Sequence, residues 1–200
     1  MIATLLSELK EGDGIFVAFD AGKKTFRHQE YKDYKANRPK TPEELIIQLP
    51  IAREFLDSLN ILHYEADDLE ADDICGIMAN KAKREGYDVQ IFTSDKDYLQ
   101  LIDDKVTIKL IKKGLKDIHT MDHDTFVNEW GFEPIQICDY KGLRGDDSDN
   151  LKGVPGIGDK TAKQLIAKFG DLENIIANAD TKTKVGRNLI EFQDNGRMCK

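Results

Sequence analysis

Two short apolar runs that each end in an acid, IFVAFD (15–20) and VQIFTSD (89–95), set the frame for what this chain can fold into. An unbroken apolar run reads as a strand covered on both faces, as in a parallel sheet flanked by helices. The intervening segments carry helical periodicity. MIATLLSELK (1–10) reads as the last turns of an amphipathic helix, stopped by Gly12 and Gly14. Residues 42–60 predict a helix with Pro42 in its first turn, a kink at Pro50, and one apolar face made of Leu45, Leu49, Ala52, Phe55, Leu56 and Leu59. A short strand at Ile61–Tyr64 precedes a helix from Glu70 to Arg84, closed by Gly86. A short helix over Tyr98–Ile102 leads to VTIKLI (106–111), which Gly114 turns into a hairpin with LKDIHT. The expected fold is α/β, with a mostly parallel sheet flanked by helices. From Asp124 onward only helices and Gly-rich turns are legible. The domain division is set at 1–143 for the α/β part and 144–200 for a helical module.

Charge is unevenly spread. The net charge of −8 argues against a polyanionic partner only if it is uniform, and it is not. Residues 23–40, KKTFRHQEYKDYKANRPK, hold seven Lys/Arg against two acids, and residues 105–117 hold five Lys against one Asp. The acids gather at 65–73, 95–104 and 146–149. Such a chain suits gripping a polyanion while holding cations. Cys75, Cys138 and Cys199 lack paired ligand spacing and read as reduced thiols of a cytoplasmic protein. His28, His63, His119 and His123 form no ligand set. No apolar run is long enough for a membrane span, so no membrane partner is expected.

The acids sit where an open α/β sheet builds its sites, beyond the C-terminal ends of strands. Asp20 ends one strand, and Asp95 and Asp97 follow another. The stretch EADDLEADD (65–73) opens the helix after a third. Taken singly, first-turn acids are accounted for by the helix dipole, and a lone strand-end Asp by chance. Three strand ends delivering carboxylates to one edge call for neutralisation, and oxygen-only ligands favour Mg²⁺ or Mn²⁺ over Zn²⁺. The two EADD copies lie five residues apart, about 140° around a helix, so one continuous helix cannot aim both at one site. The second copy, with Glu70, Asp72 and Asp73, leads directly into the amphipathic ICGIMANKAK and is the one expected to face the metals. Glu65, Asp67 and Asp68 are expected to be solvated.

GDDSDN (145–150) adds Asp146 and Asp149 and abuts GVPGIGDKTAKQLIAKFG (153–170), the pattern of a helix-hairpin-helix. Its glycines let backbone approach a phosphate closely, and the following helix offers free N–H groups. Gly153, Val154, Gly156, Ile157, Gly158, Lys160, Thr161 and Lys163 are the expected phosphate-contact positions, reading backbone and not bases. The turn's carbonyls could also hold K⁺. If residues 27–38 are helical, Arg27, Tyr31, Lys35 and Arg38 form one stripe with Tyr34 beside it, supplying charge for phosphates and rings for stacking on a single strand.

FDAGKKTFRHQEYKDYKANRPKTP, EADDICG, TSDKDYLQL and GDDSDNLKGVPGIGDKTA, in this order, resemble the 5′-nuclease family: the 5′→3′ exonuclease domain of bacterial DNA polymerase I and the free-standing flap endonucleases. The resemblance implies a PIN-like (Rossmann-like) fold with a helix-hairpin-helix module, and removal of 5′ flaps and RNA primers in DNA replication and repair with two Mg²⁺ or Mn²⁺ ions. It implies metal ligands at Asp20, Glu70, Asp72, Asp73, Asp95, Asp97, Asp146 and Asp149, and makes the phosphate-contact positions of the hairpin DNA-binding. Arg27, Tyr34, Lys35 and Arg38 would lie in an arch that threads or clamps the 5′ end, with Lys35 and Arg38 stabilising charge at the scissile phosphate. The partners implied are DNA with a 5′ flap or single-strand/double-strand junction and RNA primer–DNA hybrids; a monomer is expected.

In that family a buried strand ending in Asp-Gly precedes the first one seen here, and further helices follow the last. That leading strand and its metal-site Asp are expected to be missing from these residues. A second reading therefore stands beside the enzyme: a weak or inactive protein that binds branched DNA. A third, a Mg²⁺-dependent phosphatase or receiver-type protein, leaves the hairpin module unexplained.

Overall fold

The computed structural model describes residues 2–22, 24–114 and 116–200. Helix α1 (Ile2–Glu8) leads into strand β1 (Phe16–Ala18), followed by α2 (Phe26–Glu30), α3 (Glu43–Ile46), α4 (Gln48–Ser58) and β2 (Leu62–Tyr64). The long helix α5 (Ala71–Arg84) precedes β3 (Val89–Thr93), a 3₁₀ turn at Lys96–Leu101, and the hairpin of β4 (Val106–Ile111) with β5 (Ile118–Met121). The remainder is helical: α6 (His123–Trp130), α7 (Ile137–Arg144), α8 (Asp159–Phe169), α9 (Leu172–Ala177), α10 (Lys184–Glu191) and α11 (Gln193–Cys199), with a second 3₁₀ turn at Pro134–Gln136.

The strands form two sheets. β1 pairs parallel with β2, Phe16 opposite Leu62 and Ala18 opposite Tyr64. β3 pairs parallel with β4, and β4 antiparallel with β5. Helix α5 packs against both β1 and β3 and so spans the two sheets. The expected crossover pairing is present, as is the hairpin, but the single sheet is divided.

Local chemistry explains the helix ends. Asp122 caps α6 by accepting the Thr125 N–H at 2.9 Å, and α6 stops at left-handed Gly131. Asp171 and Thr183 cap α9 and α10 in the same way. The expected helix over 42–60 is two helices that meet at Ile47. Pro50 has no N–H and its ring crowds the carbonyl four residues back, so the break falls one turn before the proline. Of the expected apolar face, Leu56 is buried, whereas Leu45, Phe55 and Leu59 are exposed.

The core runs from the three-stranded sheet into the helical part without interruption. Val106, Ile108 and Met121 of the sheet, Phe126 of α6, and Ile137 and Leu143 of α7 join Ile166, Leu172, Ile175 and Leu189 in one buried cluster. Each such side chain contributes roughly 1.5–3 kcal/mol by leaving water. The loop after α7 is thereby fixed relative to the C-terminal end of β3. No helix among the described residues is long and apolar enough to cross a membrane.

Candidate metal centre

Beyond β3 the chain turns sharply. The Asp95 N–H donates to Thr93 Oγ1 at 3.0 Å, and the Asp95 carboxylate accepts the Asp97 N–H at 2.9 Å, capping the 3₁₀ turn. Asp97 is thereby placed beside the loop that follows α7. There Gly145 has a φ of 85°, and a side-chain carbon on it would come within 2.6 Å of the Gly153 nitrogen. Gly153 is as crowded in return, so both glycines are needed to close the loop. Asp146 and Leu151 exchange backbone hydrogen bonds of 2.8 Å across its neck, and Asp146 also accepts from the Ser148 N–H and hydroxyl at 2.9 and 2.6 Å. The result is three carboxylates, from Asp97, Asp146 and Asp149, with one oxygen of each lying within 4.8 Å of the others.

These carboxylates fit a hard divalent cation by donor type: all oxygen, close together and partly buried. Lys141, one turn before the end of α7, reaches into the same place. Its ammonium donates to Asp146 at 2.6 Å and also to Asp97. The two acids respond oppositely. Burial pushes Asp97 up to about 6, with the neighbouring Asp95 and Asp146 charges adding to the shift. Asp146 resists its own burial because Lys141 and Ser148 hydrogen-bond its ionised form, holding it down at about 2.

A second group gathers at the start of α5. Glu70, only 6% exposed, precedes the helix, and its N–H donates to Asp73 at 3.0 Å. Arg27 forks onto both oxygens of Asp73 at 2.7 Å, holding that carboxyl below the ordinary range. Lys35 donates to Glu70 at 2.8 Å. Asp72 is pushed the other way, first by burial and then by the charges of Glu70 and Asp73. Asp20, at the end of β1, accepts the Ala71 N–H at 2.8 Å. Buried Tyr34 links the two groups: its hydroxyl lies 3.1 Å from both Glu70 and Asp149, donating to one at a time. Arg38 completes the set by pairing with Asp149.

The helical stripe expected over 27–38 does not form. Helix α2 ends at Glu30, turns follow, and Lys35 has a left-handed φ of 55°. The Lys35 N–H donates to the Asp149 carbonyl at 2.9 Å instead of to a carbonyl four residues back. Arg27, Tyr34, Lys35 and Arg38 still converge on the acids, whereas Tyr31 lines a separate recess with Leu151, Lys152 and Met198.

Residues 1–131 match the model of the 5′-3′ exonuclease, N-terminal resolvase-like domain, and residues 132–200 that of the 5′-3′ exonuclease, C-terminal SAM fold. The chain belongs to the 5′-3′ exonuclease family. Among curated relatives it is 43% identical over 202 residues to DNA polymerase I of Bacillus subtilis (strain 168), and 46% identical over 202 residues to that of Geobacillus stearothermophilus. Each alignment covers 100% of this chain and 23% of the relative, so the exonuclease-family chain spans about a quarter of their length. Among solved structures, T5 5′-exonuclease with divalent metal ions (zinc) bound has a TM-score of 0.81 at 23% identity, covering 98% of this chain and 77% of that one. The catalytic core of Rad2 in complex with DNA substrate has a TM-score of 0.57 at 19% identity, covering 91% and 59%. These two likenesses speak to fold.

In this exonuclease-family chain the hairpin after the acid loop is built from its own core residues. Val154 and Ile157 are buried, and the Val154 N–H donates to the Leu143 carbonyl at 2.9 Å, so what they can offer a ligand is backbone. Gly156 takes a φ of 82°, and α8 begins just after Gly158. Lys160 is exposed. Lys163 lies over the Trp130 ring at 4.8 Å and pairs with Asp159 at 3.4 Å.

Sequence reasoning missed Lys141. The available signal was a lysine five residues before Asp146 on a helix that a glycine ends. Glu65, expected to be solvated, is exposed and pairs with Arg53, which lies over the Phe19 ring. The two EADD copies are separable by experiment. Changing Asp67 and Asp68 together to Asn is expected to leave Mn²⁺ binding by calorimetry unchanged; the same pair of changes at Asp72 and Asp73 is expected to abolish the binding of an ion at the start of α5. The reverse pattern would reassign the site to the first copy.

Proposed function

We infer that this chain is a structure-specific 5′→3′ exonuclease and 5′-flap endonuclease that hydrolyses phosphodiester bonds at flaps, junctions and RNA primer–DNA hybrids. The observation that carries the reading is the convergence of Asp97, Asp146 and Asp149 beneath a basic segment, directly beside a hairpin suited to phosphate. That T5 5′-exonuclease binds divalent metal ions and that the Rad2 core binds a DNA substrate support it.

Asp97, Asp146 and Asp149, with Asp95 at their margin, would hold one Mg²⁺ or Mn²⁺, and Glu70 with Asp20, Asp72 and Asp73 a second. Bound there, the ions would activate water and stabilise charge on the scissile phosphate and leaving oxygen. The chain's own groups do the rest. Arg38, half exposed, is placed to reach a phosphate entering the site, and Lys35 stands behind it. Arg27 holds Asp73, and through it the start of α5, while Tyr34 keeps the two acid groups in register. The hairpin from Gly153 to Thr161, with Lys160 and Lys163, would grip duplex backbone without reading bases. K⁺ at its carbonyls would extend that grip. In this account the segment after 143/144 carries the duplex-binding hairpin and also supplies Asp146 and Asp149 to the site of cleavage, and the protein acts as a monomer in the cytoplasm.

One observation favours the second reading. Arg27, Lys35, Arg38 and Lys141 already counter the acids with tethered positive charge, an arrangement that could serve a branched-DNA-binding protein without cleavage. A 5′-flap substrate incubated with Mg²⁺ or Mn²⁺ decides between them. Cleavage is expected; tight, salt-dependent binding with no product would establish the binding protein instead.

A further inference from the structure

Besides the ion pairs, the basic segment and the acid loop are laced together by hydrogen bonds to backbone carbonyls. Asn150 Nδ2 donates to the Asp33 carbonyl at 2.8 Å, and Asn37 Nδ2 donates to the Asp147 carbonyl at 2.7 Å. Between them the Lys35 N–H donates to the Asp149 carbonyl at 2.9 Å and Arg38 Nε to the Ser148 carbonyl at 3.2 Å. Each asparagine thus reaches from its own segment to the backbone of the other, a reciprocal clasp across more than a hundred residues of sequence.

Backbone strain is concentrated in the same place. Of the three non-glycine residues with positive φ among those described, two are Lys35 at 55° and Asn150 at 60°. An asparagine tolerates that conformation; a lysine rarely adopts it. A strained residue persists only where its surroundings over-determine it. Helix α2 already ends before Tyr31, whose backbone is extended, and the left-handed backbone at Lys35 then lets Tyr34, Lys35 and Arg38 all reach the acids.

We propose that Asn37 and Asn150 are positioning residues for phosphodiester cleavage: their clasp holds Lys35 in its left-handed conformation and so keeps Lys35 and Arg38 aimed at the acid cluster. The inference rests on the functional reading above, in which Lys35 acts on the scissile phosphate. Neither asparagine meets the substrate. Loss of the clasp lowers turnover by letting the basic segment relax, and leaves the hairpin's hold on duplex untouched.

Two substitutions separate the hydrogen bond from the strain. Asn150→Gly keeps easy access to positive φ and removes only the side-chain donor, while Asn37→Gln keeps a donor where Asn37→Ala does not. In steady-state cleavage of a 5′-flap substrate, Asn150→Gly and Asn37→Ala are each expected to lower kcat about tenfold with KM and duplex affinity unchanged, and Asn37→Gln to recover most of it. Lys35→Ala is expected to lower kcat about a hundredfold, and Lys35→Ala combined with Asn37→Ala to be no worse than Lys35→Ala alone. Trypsin digestion of the metal-free protein is an independent readout: Lys32 and Lys35 should be cut faster in both clasp variants, at an unchanged melting temperature. Full turnover in Asn150→Gly and Asn37→Ala, or strictly additive losses with Lys35→Ala, would overturn the clasp while sparing the enzyme reading. Unchanged cleavage in Lys35→Ala would overturn the role of Lys35 and the clasp with it.

Discussion

Asp97→Asn is expected to lower flap cleavage by about a thousandfold or more, as loss of a ligand to a catalytic ion should, and at the same time to stabilise the metal-free protein above pH 6. The second effect follows from the burial that pushes Asp97 up to about 6 from an ordinary 3.8. A carboxyl whose folded pKa is raised favours folding most when protonated. Its contribution is full below about pH 4 and is lost as pH rises through 6, beyond which the ionised group is a net cost. A shift of about two units corresponds to roughly 3 kcal/mol. With the side chain 28% exposed and Lys141 against it, about 1 kcal/mol is the realistic gain, worth some 2–4 °C in a chain of this length. Thermal melts in EDTA at pH 5 and pH 8 check this, with a gain expected only at pH 8. Asp146→Asn supplies the opposite sign. Its folded value of about 2 means its contribution is present above about pH 4 and lost as pH falls through 2, so removing it destabilises at pH 8. The two carboxylates, which the proposed function makes equivalent for cleavage, are thus opposed for stability.

Lys141→Met is the second large change. It keeps the unbranched apolar stem of a side chain whose ammonium is the positive charge shared by Asp97 and Asp146, and leaves those carboxylates facing each other. Removing one partner of a buried ion pair costs about 3–5 kcal/mol. With Lys141 still 22% exposed, about 2 kcal/mol is expected here, a drop of roughly 5 °C in EDTA. Millimolar Mg²⁺ should restore most of that loss, because a divalent ion supplies the missing charge to the same oxygens. Calorimetric titration with Mn²⁺ should show tighter binding than in the unmodified chain, since no tethered ammonium has to be displaced. An unchanged melting temperature in EDTA would mean that Lys141 is not what neutralises the cluster.

The parts of the site legible in sequence were those set locally. Strand-end acids such as Asp20 and Asp95 announce themselves because an apolar run stops at them, and Glu70 through Asp73 because a helix pattern begins there. The hairpin after Gly153 is likewise a local matter of glycines and buried Val154 and Ile157. What escaped depends on contacts distant along the chain. Lys141 meets Asp97 across 44 residues, and no spacing rule joins them. The basic segment satisfies helical periodicity on paper. The helix, however, ends where Tyr31 takes extended backbone, and the Lys35 N–H then donates to the Asp149 carbonyl, a tertiary bond that no helical pattern announces. Pro50 reads as a kink within one helix, but its effect is a break that falls on the residues before it.

The division of the strands into two sheets has a consequence for how the site comes together. β1 and β2 offer little buried surface, with Leu62 and Tyr64 largely exposed, whereas β3 and β4 feed the continuous core. A two-stranded ribbon of that kind is the least protected part of a fold and opens at a lower free energy than the rest. Asp20 and the approach to Glu70 ride on the ribbon, while Asp97 and Asp146 ride on the protected body. In the reading proposed above, an ion held by Asp20 with Glu70, Asp72 and Asp73 would tie the ribbon to α5, which packs on the body. Its binding should slow amide exchange in Phe16–Ala18 and Leu62–Tyr64 far more than in Val106–Ile111, and the affinity measured for it includes the work of closing the ribbon onto the body.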